Sequence, residues 1–98
     1  MSIKINVPYN AISDFCLRNG IKRLSFFGSV LRDDFGPESD VDVLVEFQKG
    51  VKVGLQFFSM EMELSEILGR KVDLNTPGFL SPHFRDSVIA QAEVAYAA

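Results

Sequence analysis

The run Val41-Asp42-Val43-Leu44-Val45 constrains this chain more than any other stretch. Its β-branched residues and period-2 spacing predict a strand over residues 41–47. Val41, Val43 and Val45 share one face; Asp40, Asp42, Leu44 and Glu46 share the other. That second face turns apolar at Leu44, so the carboxylates sit at one end of a largely buried strand. An unpaired carboxylate inside an apolar run costs free energy. Glu38-Ser39-Asp40 alone reads as a polar turn, but that reading leaves Asp42 unexplained. Asp73, flanked by Val72 and Leu74, repeats the anomaly. A site shared by the two intrastrand aspartates accounts for both.

The wider segment Phe26–Val45, FFGSVLRDDFGPESDVDVLV, sets out what such a site would hold. Asp40 and Asp42 lie two residues apart on a strand, hence on one face and roughly 7 Å apart at Cα. Oxygen donors in that arrangement suit hard divalent cations. Gly28-Ser29 ends the preceding strand and opens a short helical turn. Backbone N–H groups and a hydroxyl there suit an anion such as phosphate. A phosphate cradle beside a carboxylate pair points to a nucleoside triphosphate with Mg²⁺.

Gly28-Ser29, Arg32, Ser39, Asp40 and Asp42 resemble the GSxxRx(n)SDxD motif of the minimal nucleotidyltransferases of the DNA polymerase β superfamily. Lys71-Val72-Asp73-Leu74, followed by Asn75-Thr76-Pro77, is similar to that family's third acidic strand. The resemblance spans roughly residues 5–96; Gly-Ser or Asp-x-Asp alone would be weak, whereas the combination is specific. It implies a small mixed β-sheet flanked by helices, an α/β (α+β) polymerase β-like fold. It implies Asp40, Asp42 and Asp73 as catalytic residues and ligands of a two-metal Mg²⁺ site, with Gly28 and Ser29 on the β- and γ-phosphates of ATP. Arg32 and Ser39 complete the candidate nucleotide-binding set. Two readings stand for Arg32, a phosphate contact or a surface partner of Asp33 or Asp34. Two also stand for Ser39, a cap on the turn before the strand or a nucleotide contact. Small members of the family are often antitoxins. The resemblance therefore implies a helical HEPN ribonuclease toxin as partner and transfer of AMP from ATP to a tyrosine hydroxyl on it.

At 98 residues the chain is expected to be one domain, 1–98. Its apolar fraction of 47% and charged fraction of 23% are those of an ordinary folded protein. A net charge of −3 with no basic run argues against direct nucleic-acid binding. Cys16 has no second cysteine to pair with, which points to a reducing, cytoplasmic setting and to a small core residue. No apolar run approaches the roughly 20 residues of a membrane span, and the first ten residues lack a signal-peptide core.

Residues 8–19 read as a helix with Pro8 in its first turn, Gly20 after its end, and Ile12, Phe15, Cys16 and Asn19 on one stripe. Residues 21–27 read as a strand, 30–34 as a turn of helix, and 54–68 as a helix closed by Gly69. On that last helix Phe57, Met60, Glu61, Leu64, Ile67 and Leu68 form an inner stripe. Phe58 and Met62 form a second apolar row, either a wide core face or a partner surface. Residues 71–74 read as a strand. A final helix is expected from Ser81 as N-cap and Pro82 at its first position to about residue 95, with Phe84, Val88, Ala92 and Ala95 inward. His83 reads as an exposed first-turn residue or as lining for the nucleotide pocket.

Two functions from different classes follow. The first is an Mg²⁺-dependent nucleotidyltransferase whose acceptor is its protein partner, since so short a chain has no room for an acceptor domain. The second is a non-catalytic antitoxin that neutralises its partner by occlusion, using the row at Phe58 and Met62. Transfer to an RNA end or a small molecule is disfavoured by length and acidic balance.

Overall fold

A computed structural model describes residues 3–98. The chain runs α1 (Tyr9–Arg18), β1 (Ile21–Phe27), a 3-10 turn (Gly28–Leu31), β2 (Val41–Phe47), α2 (Gln56–Leu68), β3 (Val72–Asn75), a 3-10 turn (Pro77–Phe79), α3 (Arg85–Gln91) and β4 (Glu93–Ala97). The four strands form one mixed sheet in the order β3-β2-β1-β4. β1 is antiparallel to both β2 and β4. β2 and β3 are parallel, as the crossover through α2 requires.

The first two strands form where their pattern places them. Leu24, Phe26, Val43 and Val45 are buried in one core cluster with Ile12, Phe15 and Cys16 of α1 and Met60 and Leu64 of α2. Burial pushes the Cys16 thiol up to about 12, so it is a packing residue with no thiolate to react. Pro8 precedes α1 and its carbonyl accepts the Ile12 N–H at 3.0 Å. α2 stops because Gly69 adopts a left-handed φ of 66°, letting its N–H and that of Arg70 reach the carbonyls of Glu66 and Ser65.

α2 also closes the outer edge of β3. The Val72 N–H donates to Ser65 Oγ at 3.0 Å and the Leu74 N–H to Glu61 Oε2 at 2.8 Å. Two amides that would invite another strand are thus satisfied by helix side chains. Glu61 therefore belongs to the inner stripe for a polar reason.

The C-terminal quarter corrects the expected helix. α3 ends at Gln91, and Ala92 is extended with ψ 143°. Residues 93–97 form β4, in which Ser25 faces Val94 and Leu24 faces Tyr96. The period of Phe84, Val88, Ala92 and Ala95 suits a helix, but Glu-Val-Ala-Tyr-Ala suits a strand equally. The open edge of β1 decides between them, because pairing satisfies a row of backbone groups that would otherwise be left over. The helix also begins later than Ser81-Pro82 suggests. Ser81 instead anchors a turn, its carbonyl accepting the N–H groups of Phe84 and Arg85 and its hydroxyl that of His83 at 3.4 Å. Phe84 is exposed rather than inward, and His83 is an exposed turn residue. The turn expected over 30–34 occupies Gly28–Leu31.

Phe58 and Met62 settle a second alternative. They are 63% and 67% exposed, so they are not a wide core face. Among the described residues no helix is long and apolar enough to cross a membrane. The packing predicts opposite outcomes for two α2 truncations in urea denaturation. Leu64→Ala, at a fully buried site, should cost about 2–5 kcal/mol. Phe58→Ala should stay within about 0.5 kcal/mol of the parent.

Candidate active site

The site is assembled at one end of the sheet, where three adjacent strands each deliver one element. Phe27, the last residue of β1, lies opposite Asp42 near the start of β2. Asp42 in turn lies beside Asp73 in the parallel β2–β3 register. Residues of equal register on adjacent strands point to the same face, so two aspartates 31 positions apart in sequence become side-by-side neighbours. The order across the sheet is therefore Gly28, Asp42, Asp73.

Gly28 is tied to this arrangement by both backbone and space. Its φ is +75°, a left-handed conformation that lets the chain turn sharply off β1. A Cβ on Gly28 would collide with Asp42 Oδ2. The backbone of the Gly28-Ser29 turn thus lies directly against the Asp42 carboxylate. Lys4 braces the turn from outside, its N–H donating to the Val30 carbonyl at 2.9 Å.

The electrostatics follow. Asp42 is half-buried, and its pKa is pushed up to about 6. Burial is the main cause; the charges of Asp73 and then Asp40 add to it, Arg32 opposes them, and a hydrogen bond with Asp73 adds a little more. Among the described residues no three acidic, histidine or cysteine side chains close around a common point as a finished metal cage. The fit to a cation rests instead on donor chemistry. Asp42 and Asp73 share a hydrogen bond, Asp40 raises the charge cost at Asp42, and all the donors are carboxylate oxygens. A hard cation would supply the counter-charge this cluster lacks.

The remaining candidates fall into place around the pair. Asp40 lies just before β2 and is exposed. The Ser39 hydroxyl accepts the Gly36 N–H at 3.1 Å, capping the turn that delivers Asp40. Arg32 Nε meets Asp34 Oδ1 at 3.3 Å on the exposed surface. Its charge is nonetheless felt at Asp42, and with Gly28 it lines a cavity of about 320 Å³ that Val88 and Gln91 close on the far side. Both readings of Arg32 thus have a physical basis in one side chain.

Sequence reasoning passed over Arg70. Its guanidinium donates to the carbonyls of Gly36 at 2.7 Å and Ser39 at 3.0 Å and lies 4.5 Å from the centre of the Phe35 ring. It holds the loop carrying Asp40 in place. A basic residue just before a strand carries no distinguishing signal, so only the fold reveals this role.

The Nucleotidyltransferase domain family matches residues 10–94, and the chain belongs to that family. Its fold is that of a minimal nucleotidyltransferase. A solved structure of a candidate minimal nucleotidyltransferase superposes with a TM-score of 0.71 at 33% identity, covering 86% of this chain and 85% of that one. The chain is similar to a candidate protein adenylyltransferase of Methanocaldococcus jannaschii, 36% identical over 90 residues, which are 92% of this chain and 96% of the relative. It is also similar to the protein adenylyltransferase MntA of Thermococcus cleftensis, 34% identical over 79 residues, 81% of this chain and 77% of that protein. A structure of a tri-AMPylated HEPN toxin with its MNT antitoxin, from Shewanella oneidensis, shares the fold. Its TM-score is 0.64 at 18% identity, with 92% of this chain and 70% of that chain covered.

Two outcomes follow from the site. The raised Asp42 pKa means the protonated form is favoured by folding, so ionising Asp42 weakens the fold as pH rises from about 4 to about 6. Without metal, Asp42→Asn should melt higher than the parent above pH 6, and the gap should close towards pH 4. Gly28→Ala should cost roughly 1–3 kcal/mol, from left-handed strain, and the clash with Asp42 should add to it; a thermal melt checks both variants.

Proposed function

We propose that this nucleotidyltransferase is the antitoxin of a toxin–antitoxin pair, and that it transfers AMP from ATP to a tyrosine hydroxyl of a helical HEPN-type partner. The observation carrying this reading is the register that sets Asp42 beside Asp73 with the Gly28 turn against them. The two adenylyltransferase relatives and the fold shared with a toxin-bound antitoxin support the donor and the partner.

The chain's own residues divide the work. Backbone N–H groups at Gly28 and Ser29 hold the β- and γ-phosphates, and Arg32 leaves Asp34 to meet a phosphate oxygen. Asp40, Asp42 and Asp73 would hold Mg²⁺, which when bound would supply charge neutralisation at the phosphates and lower the pKa of the attacking hydroxyl. The acceptor oxygen bonds to the α-phosphorus, the bond from that phosphorus to the β-phosphate bridging oxygen breaks, and pyrophosphate leaves with the electron pair. Asp73, at the exposed end of the carboxylate row, receives the hydroxyl proton and passes it to water. Arg70 keeps Asp40 in position by restraining its loop.

A second reading, neutralisation by occlusion, is favoured by one observation. Leu55, Phe58 and Met62 form an exposed apolar stripe along α2. An Asp42→Asn protein that still binds and fully silences the partner would establish occlusion as sufficient.

The test is incubation with Mg²⁺, α-³²P-ATP and the protein encoded beside this one, followed by a denaturing gel. Label should appear on the partner and fall by about 100-fold or more in Asp40→Asn and Asp42→Asn. Chelating the cation with EDTA should abolish it. A wild-type protein that leaves the partner unlabelled sinks the catalytic reading.

A further inference from the structure

Beside Asp73, away from Gly28, lies a second cavity of about 530 Å³. Its walls include Phe57, Phe58 and Phe79, with Asp73, Asn75 and Glu61 among its polar lining. We propose that this cavity is the acceptor site: it takes a tyrosine side chain of the protein substrate, ring against Phe58 and Phe79, hydroxyl towards Asp73. This rests on the nucleotidyl-transfer reading given above and deepens it by naming the residues that choose the acceptor.

Three observations carry the inference. The first is placement. The sheet order puts the Gly28 turn and the Arg32-lined cavity on one flank of Asp42 and Asp73 on the other. In a displacement at phosphorus the attacking oxygen lies in line with and opposite the departing one, so an acceptor belongs on the side of the carboxylate row away from the phosphate-holding Gly28 turn.

The second is the chemistry of the walls. Phe57 meets Phe79 edge to face, centroids 5.5 Å apart at 76°, and meets Phe58 at 6.4 Å and 86°. Yet Phe79 remains 68% exposed and Phe58 mostly so. The cluster is a wall with ring surface left uncovered, and a further ring fits its geometry. At the polar side stands a carboxylate. An apolar body with a hydroxyl tip matches that gradient, whereas a serine or threonine hydroxyl would leave the rings bare.

The third concerns the mode of entry. An exposed groove beside an edge strand commonly takes a peptide as an added strand. Here the outward amides of β3 are already bonded, Val72 to Ser65 Oγ and Leu74 to Glu61 Oε2. The edge is closed to strand addition, so the occupant enters as a side chain. In the reaction, the phenolic O–H bond breaks, its proton moves to the Asp73 carboxylate, and the oxygen bonds to the α-phosphorus of the nucleoside triphosphate as pyrophosphate departs.

The test uses N-acetyl-tyrosinamide and N-acetyl-serinamide as probes with the full chain. In saturation-transfer NMR, irradiating the protein should mark the ring protons of the tyrosine probe, and the signal should be lost in the Phe58→Ala/Phe79→Ala double variant. Leu17→Ala, an equally exposed apolar site on α1, should leave it unchanged. In the labelling assay the double variant should raise the KM for the partner about tenfold or more while ATP affinity stays at the parent value. An absent signal with the parent protein, or an unchanged KM in the double variant, overturns the acceptor site. A parent protein that binds the tyrosine probe but labels no acceptor overturns the transfer reading instead, leaving the cavity as a tyrosine-binding site.

Discussion

The structure depends on accommodating one carboxylate inside a sheet. Asp42 belongs to a strand whose next three residues, Val43 to Val45, are buried, and it cannot move to solvent without dragging that strand out of register. Burial and two like-charged neighbours make its ionised form costly and raise its pKa to about 6. The surrounding chain adapts to it. Gly28 surrenders its side chain, β3 brings a second carboxylate to the same register, and Arg70 restrains the loop that brings the third. Any ligand that neutralises these charges in the native state would stabilise the fold in proportion to its binding.

The helices serve this arrangement in different ways. α1 and α2 bury the apolar face of the sheet and so leave the register no freedom to slip. α2 does more, since its Ser65 and Glu61 close the outer edge of β3. That closure keeps the strand bearing Asp73 from recruiting a foreign strand, and it leaves the neighbouring groove to side chains. α3 is only seven residues long; its Val88 and Gln91 face the Gly28 cavity, and the strand that follows it completes the sheet beside β1.

Along α2 and the 77–79 turn, Leu55, Phe58, Met62 and Phe79 are all mostly solvent-facing. Of these, Phe58 and Phe79 line the same cavity as Asp73, so exposed ring surface and a carboxylate share one border.

Local chemistry was enough to read much of the molecule. Val41 to Phe47 formed the strand its alternation demands, Gly69 ended α2 by the backbone freedom only glycine has, and the two aspartates in apolar strands were anomalous before any fold was known. Those features are legible because period, turn chemistry and burial cost act within a few residues. The C-terminal strand was not legible, since Glu93–Ala97 has no strong preference of its own and takes its conformation from the unpaired edge of β1. Nor was the tie between Arg70 and the Asp40 loop, or the edge-closing work of Glu61, because each joins groups more than ten positions apart. The sequence by itself determined which residues carry charge into the sheet. Only the tertiary structure decided their pairing, because register between β2 and β3 is set by the packing of α2 against the whole core and by no single residue.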